Sequence, residues 1–204
     1  MLTTGGKIAK RGFDLIACTL AGLALSPFCL CIALAIACGS KGGALYRQTR
    51  VGRNGKEFKL LKFRTMRHDA DKTGGLITVG EDNRVTRIGK FLRKYKLDEL
   101  PQFINIIKGD MSIVGPRPEV PKYVALYSER QRQVLTVRPG LTDYASIKYI
   151  SESELLAQSP DPDKTYIEEI MPAKLELNLQ YIANQSVKED LRLIFITLAS
   201  ILKK

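Results

Sequence analysis

The chain has 204 residues, enough for one domain or a small domain with an appendage, and its 32 Lys and Arg against 21 Asp and Glu give a formal net charge of +11. Apolar residues at 45% and charged residues at 26% argue against wholesale disorder, and four cysteines argue against a disulfide scaffold. The single histidine, His68, excludes any site that needs two.

The charge is uneven along the chain. Residues 1–96 carry 19 basic and 6 acidic side chains, whereas residues 97–204 carry 13 and 15. Inside the basic half, Leu15 to Ser40 has no charged residue. A basic half around an apolar run points to an anionic partner, and a membrane is the nearest candidate. About 20 apolar residues cross a bilayer as one helix, so a spanning helix is the simplest reading. Two features weigh against it. Ser26-Pro27 lies near the centre of the run, where proline removes a helix hydrogen bond. Basic residues also flank both ends: Lys7, Lys10 and Arg11 before, Lys41, Arg47, Arg50 and Arg53 after. A re-entrant hairpin bent at Ser26-Pro27 accounts for both, and the two readings stay open on physics alone. The basic continuation argues against a cleaved export signal. Cys18, Cys29, Cys31 and Cys38 read as small apolar packing residues. Asp14 needs the interface or a partner, with Lys10 and Arg11 a turn away or less.

Residues 44–66 read as a β-hairpin that turns at Gly52 to Gly55, with Lys59, Lys62 and Arg64 on its second strand. Those cations suit either a solvated edge or phosphate and headgroup contact. Residues 68–83, with Gly74, Gly75 and Gly80, read as a mobile loop. A basic helix follows over 84–96, then a helix over 98–108 stopped by Gly109. Two rigid turns each carry an arginine, Arg117 after Gly115-Pro116 and Arg138 before Pro139-Gly140. Residues 151–172 form an acidic excursion ending in a short helix. Residues 173–183 and 190–204 read as helices, the last apolar enough for a membrane surface or a partner.

Asp98 and Glu99 are the carboxylates to weigh. As structure, they suit a helix N-cap and first turn ahead of Pro101. As chemistry, five cations at Arg87, Lys90, Arg93, Lys94 and Lys96 would keep Asp98 ionised and hold an anionic substrate beside it. An ionised Asp can attack phosphorus, and Glu99 could hold a divalent cation on a diphosphate, which fits phosphoryl transfer. There is no phosphate-binding P-loop motif, and nothing marks a serine triad around His68. Nucleic-acid binding would not explain the uncharged run.

Seven motifs in order carry a family resemblance: Lys10-Arg11-Gly12-Phe13-Asp14, Ser26-Pro27, residues 46–52 (YRQTRVG), residues 62–66 (KFRTM), residues 97–102 (LDELPQ), residues 108–118 (KGDMSIVGPRP) and residues 137–142 (VRPGLT). The sequence resembles the bacterial sugar transferases, the monotopic polyprenyl-phosphate phosphoglycosyl transferases. The resemblance implies an α+β, mainly α fold with a re-entrant membrane helix broken at Ser26 and Pro27 (residues 1–40). A catalytic domain (41–204) would place amphipathic interfacial helices around a site on the cytoplasmic face of the bacterial inner membrane. It further implies transfer of a phospho-sugar from a UDP-sugar to undecaprenyl phosphate, with Mg²⁺ and release of UMP. Asp98 would be the nucleophile of a covalent phospho-sugar intermediate and Glu99 its metal-binding partner. Lys62, Arg93 and Arg117 would line the phosphate site, with Arg138 grouped with them as substrate-binding. Membrane lipids of one leaflet are implied partners, self-association is compatible, and the form is the minimal catalytic one. Asp143-Tyr144-Ala145-Ser146, Asn178 and the 151–172 excursion depart from the family pattern, and the sugar is not readable. A membrane-surface adaptor without chemistry, and an enzyme using Asp98 as a general base, are the rival readings.

Overall fold

The computed structural model describes residues 3–39, 42–68, 70, 75, 77–80 and 82–203. Ser40 and Lys41, beyond the apolar run, and Gly74 of the polar loop lie outside the described residues. The fold is α+β and mainly helical, with two small two-stranded sheets among the described residues. The helices are α1 (Thr4–Gly39), α2 (Arg87–Lys94), α3 (Gln102–Lys108), α4 (Pro121–Val124), α5 (Glu129–Arg132), α6 (Tyr144–Lys148), α7 (Glu152–Ala157), α8 (Pro162–Thr165), α9 (Met171–Asn184) and α10 (Val187–Leu202). The strands are β1 (Leu45–Val51), β2 (Glu57–Phe63), β3 (Ser112–Val114) and β4 (Gly140–Thr142).

Helix α1 has 36 residues, about 54 Å at 1.5 Å per residue. It is long and apolar enough to cross a membrane. The non-helical break expected at Ser26-Pro27 is absent: the chain is helical from Thr4 to Gly39, Pro27 included. The physical reason lies one residue earlier. Pro27 has no N–H for the Leu23 carbonyl four positions back. The Ser26 hydroxyl donates to that carbonyl instead, at 2.8 Å.

Two short stretches seat α1 on the rest of the chain. Asp14 and Cys18, four residues apart, are buried, with Cys18 in a cluster with Leu60, Ile106 and Met111. Ile32 and Ile36, again four apart, pack with Phe63 and Leu92. No residue from 19 to 31 is buried, and Leu20, Leu23, Phe28 and Leu30 stand exposed. Asp14 does not pair with Lys10 or Arg11 as expected. It is 2% exposed and accepts from Ser112 Oγ at 2.8 Å and Ile113 N at 3.2 Å. Lys10 instead meets Asp190 of α10 at 2.5 Å and donates to Val114 O. A helix surrounded by apolar side chains can afford these polar groups only because each finds a partner in β3 or α10.

The expected hairpin is present. β1 and β2 pair antiparallel from Leu45 with Phe63 to Val51 with Glu57. Asn54 at φ 58° and Gly55 at φ 75° form its turn. β3 and β4 pair in parallel, which brings the two arginine-bearing turns side by side. A Cβ on Gly140 would lie 2.1 Å from Gly115 N, so this crossing requires glycine. The main apolar core gathers Tyr123, Val124, Tyr127, Tyr166, Ile170, Leu175, Tyr181 and Leu193 beneath α9 and α10. Among the described residues of the polar loop, Gly80 N donates to Ser153 O at 2.9 Å, tying the loop to α7.

Candidate active site

Asp98 and Glu99 occupy a single 3-10 turn, Leu97–Glu99, between α2 and α3. Lys96 precedes it at φ 56°, ψ 19°, a left-handed conformation that lysine seldom takes. That reversal sets both carboxylates inside the protein, Asp98 at 6% and Glu99 at 7% exposure. The capping reading fails, because α3 begins only at Gln102 and Asp98 Oδ1 has no hydrogen-bond partner.

Glu99 is the fixed member of the pair. Arg117 grips it with both terminal nitrogens, Nη1 to Oε2 at 3.2 Å and Nη2 to Oε1. Lys62 Nζ lies 3.5 Å from the same Oε1. Burial alone would raise the Glu99 pKa, but Arg117 and Lys62 hold it well below the carboxylate range. Asp98 moves the other way: burial raises its pKa, against the pull of Lys62 and with the push of Glu99. Lys62 is lowered to about 8 by burial, Glu99 opposing and Arg117 assisting. The site thus holds one clamped carboxylate and one with an unpartnered oxygen.

Arg117 is positioned from two sides. Its backbone N–H donates to Asp143 Oδ2 at 3.2 Å, and Asp143, fully buried, also caps α6 through Ser146 N at 2.6 Å. Arg93 closes another side, with Nε on Thr65 Oγ1 at 2.8 Å and Nη1 on Thr78 Oγ1 at 3.4 Å. Its charge is felt at Asp98. The approach of α2 to Thr65 depends on Gly89, where a Cβ would meet Thr65 O at 2.0 Å.

The structure therefore brings Lys62, Arg93 and Arg117 around the two carboxylates. Arg138 it does not. Its Nε donates to Gly109 O at 2.9 Å, at the far end of α3. The seven residues of α3, about 10 Å of helix, lie between the Asp98 turn and Gly109. Sequence reasoning also missed three contributors. Asp143 stood as a departure without a role, although an Asp ahead of a helix is an N-cap signal. Arg50 is buried close enough to Arg117 and Lys62 to repel both, and it pairs with Glu119 at 3.1 Å. Gln102, 1% exposed, has an Nε2 with no partner. It lies on the chain between Glu99, which faces Lys62, and Asn105, which bonds Leu61 N and Lys59 O of β2.

Among the described residues no three His, Cys, Asp or Glu side chains gather as a metal cage. A magnesium ion asks less of a protein, commonly one or two carboxylates plus substrate phosphates. The unpartnered Asp98 Oδ1 beside Glu99 fits that donor set, although Arg117 and Lys62 already occupy the oxygens of Glu99.

The profile of the family described as bacterial sugar transferase matches residues 5–204. A UDP-glucose:undecaprenyl-phosphate glucose-1-phosphate transferase of Escherichia coli is 39% identical over 200 residues, which cover 94% of this chain and 39% of that protein. A UDP-N-acetylgalactosamine-undecaprenyl-phosphate N-acetylgalactosaminephosphotransferase of Aeromonas hydrophila is 36% identical, covering 95% and 43%. The exopolysaccharide production protein PSS of Rhizobium leguminosarum is 39% identical, covering 95% and 94%. The chain thus spans about two-fifths of the first two relatives and nearly all of the third.

Proposed function

Because the chain belongs to the bacterial sugar transferase family, we propose that it transfers a sugar 1-phosphate from a UDP-sugar to undecaprenyl phosphate. The observation that carries the mechanism is the contrast within the pair: Glu99 is locked by Arg117 and Lys62, while Asp98 keeps a buried oxygen with no partner. In the proposed first step Asp98 attacks the phosphorus that bears the sugar. A bond forms from its carboxylate to phosphorus, the bond to the UMP oxygen breaks, and UMP leaves with the electron pair. In the second step a phosphate oxygen of undecaprenyl phosphate attacks the same phosphorus. The acyl-phosphate bond breaks, which frees Asp98 and leaves the sugar on a lipid diphosphate.

Lys62, Arg93 and Arg117 supply positive charge where the diphosphate sits, and Glu99 orients two of these cations. Magnesium, held by Asp98 and Glu99 with the diphosphate, would add neutralising charge when bound. We place residues 1–40 as the membrane anchor and 41–204 as the catalytic part, at the cytoplasmic face of the inner membrane. Re-entrant insertion of α1 is supported by its two seats, Asp14 with Cys18 and Ile32 with Ile36, on either side of the unburied 19–31 stretch.

The deciding experiment is a half-reaction. Wild-type protein incubated with a UDP-sugar and no lipid acceptor should release UMP and carry a phospho-sugar on Asp98, detectable by intact mass. Asp98→Asn should lose turnover by several orders of magnitude while staying folded. UMP release only when undecaprenyl phosphate is present would instead establish direct transfer with Asp98 as a base.

A further inference from the structure

The last carbonyls of a helix have no partners within it. At the end of α3 two arginines fill the gap. Arg11 donates from Nη1 to Ile106 O at 2.7 Å and from Nη2 to Ile107 O at 3.1 Å. Arg138 reaches Gly109 O through Nε. A Cβ built on Gly109 would lie 3.4 Å from Arg11 Nη2, so both guanidinium groups flank this one residue. Arg53 lies in the β1–β2 turn beside Gly52, which lines one cavity with Val137 and Pro139, the two neighbours of Arg138, and its charge and that of Arg11 disfavour the charge on Arg138 after the larger effect of burial.

Capping explains part of this cluster and leaves a remainder. Arg138 commits only Nε, and its two terminal nitrogens have no hydrogen bond among the described residues. Arg53 is exposed and makes no side-chain hydrogen bond or ion pair among them. None of the three arginines meets a carboxylate in any ion pair among them. Asp14, which Arg138 feels, has its oxygens engaged by Ser112 and Ile113. Three converging cations without an anion are costly unless a ligand brings one.

The surroundings say which anion. Arg11 sits one helical turn before Leu15, where the uncharged run begins. Ile8 and Ile16 of α1 and Ile104 and Ile107 of α3 are exposed large apolar side chains on the same two helices. A charged head beside an apolar wall at the start of a membrane helix matches a lipid. The acceptor phosphate, which on the proposed mechanism must meet Asp98, would have to react at the other end of α3, whose seven residues span about 10 Å.

We propose that Arg11, Arg53 and Arg138 form a binding site for the phosphate of an anionic phospholipid, whose acyl chains run along the exposed apolar sides of α1 and α3. Guanidinium groups suit this role because their paired donors match two phosphate oxygens at once. The site rests on the reading that α1 enters a membrane.

The test uses the full chain purified in detergent. Native mass spectrometry with added phosphatidylglycerol should show a retained lipid, and phosphatidylcholine should be retained more weakly. Arg53→Gln and Arg138→Gln should each weaken phosphatidylglycerol retention about fivefold, the worth of one basic residue at an anionic surface. Arg53 is exposed and its side chain makes no hydrogen bond or ion pair among the described residues, so its variant isolates the charge. Lys164→Gln, a remote exposed cation, should change nothing. Equal loss with Lys164→Gln would show general surface attraction and overturn the site. Full competition by inorganic phosphate would also overturn it, by showing an ion site indifferent to lipid. Vesicle flotation separates the two levels of the argument. Wild-type protein that fails to float on any phosphatidylglycerol-containing vesicle sinks the membrane reading, whereas normal flotation with unchanged retention in both arginine variants sinks the site alone.

Discussion

Lys62 is the residue whose titration reaches the working range. Burial lowers it to about 8, and on the proposed function its charge holds an anionic substrate beside Asp98. A group with a lowered pKa loses its proton early as pH rises, so kcat/KM for the UDP-sugar should fall as pH passes about 8. Lys62→Arg should move that limb upward by removing the titration; an unmoved limb assigns it elsewhere. On the proposed mechanism Asp98 sets the acid side, where its raised pKa extends the protonated, non-nucleophilic form above the ordinary carboxylate range. Gln102 gives a prediction of the opposite kind. Its buried Nε2 lacks a partner, and such a group costs roughly 1–3 kcal/mol. Gln102→Met keeps the shape and removes the donor, so melting should rise by a few degrees. A lower melting temperature would mean that the amide is already satisfied. Stability sacrificed at Asp98 and Gln102 together is what a substrate-binding turn looks like from the folding side.

At the scale of elements, the β-hairpin was legible because Asn54-Gly55 and the flanking strand pattern act locally. The C-terminal end of α3 was legible for the same reason, through Gly109. What failed was whatever depends on apposition. Asp98 read as a cap because the local pattern has no means of showing the left-handed Lys96 ahead of it. Arg138 was grouped with the substrate ligands, and the parallel β3–β4 pair does place its turn beside that of Arg117. Its side chain nevertheless runs to the end of α3. Asp14 is the sharpest case: its partners are about a hundred residues away in β3. Asp14→Ala should leave the Ser112 hydroxyl and Ile113 N–H buried without an acceptor. The expected cost is about 3 kcal/mol, read as a melting temperature lower by roughly 6–12 °C in detergent. A loss below one degree would remove Asp14 from the fold's supports.

For the whole molecule, the charge imbalance between the two halves acquires separate destinations. Lys62 and Arg93 of the first half turn toward the carboxylate pair, and Arg117 of the second half joins them. Arg11 and Arg53 gather with Arg138 at the other end of α3. The sequence-level inference of an anionic partner was sound. It could not resolve that the cations gather at both ends of one seven-residue helix, because both groups are scattered along the chain and meet only in the fold. The sugar stays unread for a related reason, since residues that depart from the family pattern, Asp143 and Asn178, are buried, and Asp143 is engaged with the Arg117 and Ser146 backbones.

Lys10 and Asp14 bring one last consequence. Both hold β3, through Val114 on one side and Ser112 with Ile113 on the other, and Arg117 follows three residues later. Helix α1 therefore braces the strand that leads to Arg117 as well as carrying the apolar run. On the proposed function, cutting α1 away to gain a soluble enzyme would take out the post on which the arginine's strand is hung, so solubility would come with a loss of activity.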